Sequence, residues 1–207
     1  VTAETRPAVF LDRDGTLIRH VPYLTDPNDV ALIDGAAAVL AELRDAGYAC
    51  VIVTNQSAIG RGMLTERGLA EVHRVMHDRL AEHGVELDGT YHAPHAPTQK
   101  DHTVIEFHDR KPGPGMLQRA AAELGIDLSR SWMVGDSLKD THAGRNAGVR
   151  GTVLVRTGEG AAVDPHEPSI DHVAADVVEA AAIILHADGH LRDADAPDSE
   201  STEANRS

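Results

Sequence analysis

The 207-residue chain carries 33 Asp and Glu against 19 Lys and Arg, a formal net charge of −14 at pH 7, which argues against nucleic acid or an anionic membrane surface as the main partner. Its length suits one domain able to bury a full core. The single cysteine, Cys50, rules out a disulfide framework, and no apolar run nears the roughly 18 residues of a membrane span, so a soluble, cytoplasmic protein is expected.

In chain order, residues 1–7 are polar and read as a loose N-terminus. A strand is predicted over 8–12, where Val9-Phe10-Leu11 runs into Asp12-Arg13-Asp14-Gly15-Thr16. Alternate residues of an extended segment point the same way, so Asp12 and Asp14 can face one crevice. There their mutual repulsion calls for a cation, or for a proton on one of them. Taken alone, the pair fits equally well an Asp-rich loop after a strand. Residues 18–33, with Pro22 and Asp26-Pro27, read as a long loop over the strand end. A helix follows over 34–46, with Asp34 as N-cap and Gly47 as stop.

A second strand over 48–53 holds Cys50 as a small core residue and ends on Thr54-Asn55-Gln56-Ser57. The turn Ile59-Gly60-Arg61-Gly62 leads to a helix opened by Thr65 and closed by Gly84, with Leu69, Val72, Val75, Met76 and Leu80 on its apolar face. His73 and His77 are spaced i, i+4, which suits a metal, but no third ligand is in view; a solvated face is expected. A short strand over 89–93 precedes an irregular segment, 94–113, rich in Pro and His. Further elements are a helix over 115–124, a strand over 132–134 ending on Gly135-Asp136, and a helix over 138–147. Strands over 153–155 and 172–174 and a helix over 176–186 complete the fold, and 187–207 reads as a disordered acidic tail. The alternation predicts an α/β fold: a single doubly wound domain with a mainly parallel, Rossmann-like sheet.

In such a sheet the strands' carboxyl ends share one edge. Asp12 and Asp14, Thr54 and Asn55, Arg110 and Lys111, and Asp136 with Asp140 one turn later can therefore converge. Three carboxylates with a Lys, an Arg and a Thr describe a site for a magnesium-bound phosphate.

At these residues the chain resembles the haloacid dehalogenase-like phosphatase superfamily, whose four motifs match Asp12-Arg13-Asp14-Gly15-Thr16, Thr54-Asn55, Lys111 and Gly135-Asp136-Ser137-Leu138-Lys139-Asp140. Within it the likeness is to the D-glycero-D-manno-heptose 1,7-bisphosphate 7-phosphatases, a sister group of the histidinol-phosphate phosphatases. It extends over about 8–157 and adds Arg61-Gly62, Pro94-His95, Arg110-Lys111-Pro112 and Val155-Arg156-Thr157-Gly158. The resemblance implies that Asp12 is the nucleophile, forming an aspartyl-phosphate, and that Asp14 is general acid and then base. It also implies Mg2+ held by Asp12, the Asp14 carbonyl and Asp136, with Thr54 and Lys111 steadying the phosphoryl group and Arg110 contacting the rest of the substrate.

One departure concerns a zinc loop that such proteins often carry, of the form Cys-x-His and then Cys-x-Cys. Its positions fall here on Ala93, His95, Phe107 and Asp109, so no structural zinc is expected. His92, His95, His102, His108 and Asp109 remain an alternative nitrogen and oxygen ligand set. No stretch is long enough for a large cap domain. Specificity is therefore assigned to loops, with Arg13, His20, Tyr23, Asn55, Gln56, Ser57, Arg61 and Arg110 as substrate-binding residues. Arg61 and Arg110 favour a second anionic group, hence a sugar bisphosphate; histidinol phosphate is the runner-up. A phospho-receiver without turnover is the alternative of another class, opposed by Asp14, an acid two residues after the acceptor. With 3% aromatic residues and no obvious sticky patch, a monomer is expected.

Overall fold

A computed structural model of the chain describes residues 5–101 and 103–190. Its elements are β1 (Ala8–Leu11), α1 (Ala36–Asp45), β2 (Ala49–Asn55), α2 (Ser57–Gly60), α3 (Glu66–Ala81), β3 (Gly89–Ala93), α4 (Gly115–Leu124), β4 (Trp132–Gly135), α5 (Leu138–Ala147), β5 (Gly151–Val155), β6 (His172–Ala174) and α6 (Val177–Ala187). The four central strands are apolar runs buried along almost their whole length. Such strands need helices on both faces, and parallel sheets supply them.

All five strand pairings are parallel, in the order β3-β2-β1-β4-β5-β6. The chain moves outward from β1 to β3, crosses back to β4 on the other side of β1, and moves outward again. This reversal opens a crevice at the carboxyl ends of β1 and its two neighbours. Register sets the level: Leu11 lies opposite Ile52 on one side and Val134 on the other. One face of the sheet packs with Val39, Leu40 and Leu43 of α1, Val72, Met76 and Leu80 of α3, and Val177 and Ile184 of α6. The other packs with Met116, Leu117 and Ala120 of α4 and Ala143 of α5.

Several local expectations are corrected. The N-cap of α1 is Gly35, not Asp34; the exposed Asp34 carboxylate pairs with Arg19 instead. β2 continues to Asn55 because β3 keeps pairing past the end of β1, placing Thr54 opposite His92 and Asn55 opposite Ala93. Residues 57–60 wind into α2 rather than a plain turn, and Gly60 approaches the Pro94 carbonyl so closely that a Cβ there would lie 2.7 Å from its oxygen. His73 and His77 do not lie on a solvated face, because that flank of α3 lies against β3. His77 Nε2 is 3.1 Å from Thr90 Oγ1, and the His73 ring meets that of His92 edge-on at 6.0 Å.

At the amino terminus, the Arg6 N–H donates to Gly125 O and the Asp127 N–H to Arg6 O. Past α6, Asp188 is held by Tyr48, Trp132 and Arg150. The rest of the expected loose N-terminus (1–4), His102 and the rest of the acidic tail (191–207) lie outside the described residues. No helix among the described residues is long and apolar enough to cross a membrane.

Candidate active site

The site is built where β1 stops. The Asp12 N–H still donates to Val134 O of β4 at 2.9 Å, and the chain then coils so that Leu17 and Ile18 both donate to Arg13 O. Gly15, at φ 82°, makes the coil possible. It also lets the backbone close on Asp136: a Cβ at Gly15 would lie 2.2 Å from Asp136 Oδ2, and one at Gly158 2.0 Å. Only glycine fits at either place.

Lys111 enters from the loop before α4, anchored by a reciprocal pair of bonds between its backbone and the Asn55 side chain, 2.9 and 3.0 Å. Its ammonium group is 2% exposed and uses all three donors: Asp12 Oδ1 at 2.7 Å, Val53 O at 2.7 Å and Asp140 Oδ1 at 2.6 Å. The other Asp140 oxygen accepts from the Ser137 N–H and hydroxyl at the start of α5. Both Asp140 oxygens are thus committed to holding protein groups.

Asp14 is fixed separately. Arg13, 1% exposed, grips its carboxylate with Nε (3.1 Å) and Nη2 (3.2 Å). Gln56 Nε2 donates to Asp14 Oδ2 at 3.1 Å and to Thr54 Oγ1 at 2.8 Å, tying the acid to the end of β2.

Charge in this crevice is not balanced within the protein. Burial, together with Asp140 and Asp14, holds the Asp12 carboxyl up at about 6 in spite of Lys111. Burial and the Asp12 and Asp140 carboxylates hold Asp136 up at about 8. Burial alone would lower Lys111, but Asp12 and Asp140 raise it on balance. Asp12, Asp136 and Asp140 each bring a ligand oxygen within 4.8 Å of the others. This donor set has neither thiolate nor imidazole and suits a hard divalent cation such as Mg2+. Asp136 Oδ2 accepts from the Glu159 N–H at 2.8 Å, leaving Oδ1; Asp12 Oδ1 accepts from Lys111 Nζ, leaving Oδ2. Asp12 and Asp136 are therefore the pair with an oxygen to offer a cation.

A cavity of about 280 Å³ opens above these groups, lined by Asp12, Arg13, Asp14, His20, Tyr23, Thr54, Asn55, Gln56, Ser57, Lys111 and Asp136 among others. Two residues expected in it stand elsewhere. Arg61 lies at the mouth, its guanidinium 5.9 Å from the Tyr23 ring. Arg110 is buried, donates to His95 O at 2.7 Å and lines an adjoining small cleft. Sequence reasoning did not select Lys139 or Glu159, which also line the cavity, nor the part Asp140 plays in holding Lys111. The Asp136 to Asp140 spacing was the available signal for the last.

In the 93–109 segment, Ala93 is wholly buried and His95 stacks on Phe107, 4.4 Å between centroids and 15° from parallel. Glu106 accepts from Thr98 and Gln99 across the loop. These contacts bind the loop through packing and hydrogen bonds.

A family model described as HAD-hydrolase-like matches residues 108–180. A D-glycero-beta-D-manno-heptose-1,7-bisphosphate 7-phosphatase of Yersinia pestis is 45% identical over 157 residues, 74% of this chain and 82% of the relative. The protein of that name from Escherichia coli K12 is 44% identical over 161 residues, 76% of this chain and 83% of the relative. Among solved structures, a D,D-heptose 1,7-bisphosphate phosphatase from B. bronchiseptica, complexed with magnesium and phosphate, superposes with a TM-score of 0.75 at 30% identity, over 87% of this chain and 99% of that one.

Proposed function

Since this chain belongs to the haloacid dehalogenase-like phosphatases, in the branch of the heptose bisphosphate phosphatases, we propose that it removes the 7-phosphate of D-glycero-D-manno-heptose 1,7-bisphosphate by way of an aspartyl-phosphate. The observation that carries the reading is the division of labour between the two acids of β1's exit. Lys111 occupies Asp12 Oδ1, so Oδ2 is the oxygen that attacks phosphorus. As the new O–P bond forms, the ester O–P bond breaks. Asp14, held beside it by Arg13 and Gln56, gives its proton to the departing sugar oxygen. Asp14 then takes a proton from water, which attacks the phosphorus of the acyl phosphate; phosphate leaves and Asp12 is regenerated.

Thr54 and Lys111 steady the transferring group. Asp12, Asp136 and the Asp14 carbonyl would hold Mg2+, which neutralises negative charge between nucleophile and phosphate. His20, Tyr23, Ser57 and Arg61 meet the remainder of the sugar from the cavity wall and mouth, and Arg110 stands behind them. We read the 93–109 loop as zinc-free; metal analysis of chelator-washed protein is expected to find no stoichiometric zinc, and a tightly held equivalent overturns that reading.

The test is a kinetic screen with Mg2+ of sugar bisphosphates, sugar monophosphates and histidinol phosphate. The heptose bisphosphate is expected to give the highest kcat/KM. A clear preference for histidinol phosphate, or no turnover of any phosphomonoester, would sink the assignment.

A further inference from the structure

Among the described residues, the buried polar atoms without a hydrogen-bond partner include Arg13 Nη1, Thr16 Oγ1 and His73 Nε2. Arg13 is 1% exposed and spends Nε and Nη2 on Asp14. A planar guanidinium cannot turn its third nitrogen to the same carboxylate, so Nη1 faces away from Asp14. A buried donor left unpaired is destabilising, and proteins rarely leave one so.

The fold indicates what Nη1 faces. Val9 and Leu11 of β1 pack in the same cluster as Val72 and Met76 of α3; past the end of β1, Gln56 links the Asp14 that Arg13 grips to Thr54, which lies opposite His92 of β3. His73 adjoins Val72 on the flank of this buried face, its ring against His92 of β3. Burial first, and the Arg13 charge next, hold the His73 imidazole down at about 3. The ring is therefore neutral at physiological pH and has a nitrogen able to accept. The guanidinium supplies donors only, so the two atoms are complementary. They make no direct hydrogen bond, and a water accepting from the one and donating to the other would satisfy both.

We propose that His73 is a positioning residue for the catalytic acid: its Nε2 accepts from Arg13 Nη1 through one bridging water, which fixes the guanidinium that in turn holds Asp14 in place. Asp14 is then supported on two sides, by Gln56 just past β2 and by an Arg13-His73 link anchored in α3. His73 does not line the cavity, and the link acts through the Asp14 carboxyl alone.

The proposal rests on Asp14 acting as the acid, so the experiment compares two leaving groups. kcat/KM reports phosphoryl transfer to Asp12. A sugar phosphate needs its leaving oxygen protonated, whereas p-nitrophenyl phosphate scarcely does. His73→Leu, similar in bulk but without an acceptor, is expected to lower kcat/KM for the sugar phosphate about tenfold and that for p-nitrophenyl phosphate less than about twofold. His73→Gln, whose amide oxygen can accept, is expected to restore most of the loss. Equal loss on both substrates marks a merely structural role and overturns the proposal, as does no loss on either. Asp14→Asn, run in parallel, separates the two readings. If it leaves the ratio between substrates at the wild-type value, the acid role falls and this proposal with it. If Asp14→Asn shifts the ratio and His73→Leu does not, this proposal alone falls. Should His73→Leu fail to show a cooperative thermal transition, His73→Ala takes its place with the same outcomes.

Discussion

The two edges of the sheet treat buried carboxylates in opposite ways. At the amino edge, Asp88 is bonded by Arg6, Arg44 and the Cys50 N–H, and Asp188 by Tyr48, Trp132 and Arg150. Each acid there has its own cations and donors. At the carboxyl edge, Asp12, Asp14, Asp136 and Asp140 share Lys111 and Arg13, and two of the four are pushed up in pKa. The amino edge closes the domain with satisfied charge. The carboxyl edge keeps a surplus of negative charge that a cation and a phosphate can use, at some cost to the stability of the bare protein.

The largest effect that tests this contrast is expected from Asp12→Asn, which should lower Mg2+-dependent phosphate release by at least about a thousandfold while the fold survives. Residual turnover above that level would put the nucleophile elsewhere. Next comes Lys111→Met. It leaves Asp12 and Asp140 buried without their counter-ion, and should both abolish measurable turnover and destabilise the protein by about 3 kcal/mol in a urea titration.

At the other edge, Asp88→Asn should destabilise by about 2 kcal/mol and leave kcat within about twofold of wild type. A large kcat loss there would erase the distinction between the edges. Asp136→Asn should do the reverse, removing turnover yet raising metal-free stability by roughly 1 kcal/mol near pH 8.

The smallest effect is a pH dependence. Folded Asp12 and Asp136 hold protons up to about 6 and about 8, against a usual 3.8. Across that window the folded state binds more protons than the unfolded one, so these groups make metal-free stability fall as pH rises. Protons compete with a cation for the same oxygens, so the thermal shift on adding Mg2+ should grow from about pH 5.5 to about pH 8. A shift that shrinks over that range contradicts the charge surplus.

Much of the fold is legible in the sequence because glycines and apolar runs punctuate it. Gly89–Ala93, Gly115–Leu124 and Leu138–Ala147 come out with the expected bounds. The residues at the strand ends are legible too, since a parallel sheet brings them together whatever the details of packing. What was not legible depends on partners distant in sequence. The Lys111 bond to Asp140 has only the Asp136 to Asp140 spacing as a local sign, and the turning of Arg110 onto His95 O has none. The spacing of His73 and His77 gave a helix face correctly and its surroundings wrongly, because solvation depends on where β3 lies. Asp188 reads as part of a disordered acidic tail and Asp88 carries no local signal, until the ends of β1, β2 and β4 are seen beside them.

The central place of β1 has a consequence for hydrogen exchange. Its four residues are wholly buried and paired with β2, and three of them also with β4; the amide of Asp12 itself donates to β4. These amides can exchange only when the sheet as a whole opens, whereas those of the loops over 18–33 and 94–109 need only local opening. The segment leading to Asp12, the proposed nucleophile, should therefore be among the last in the chain to take up deuterium, and these loops among the first. Loop fluctuations can then run their course without disturbing the Asp12 carboxylate.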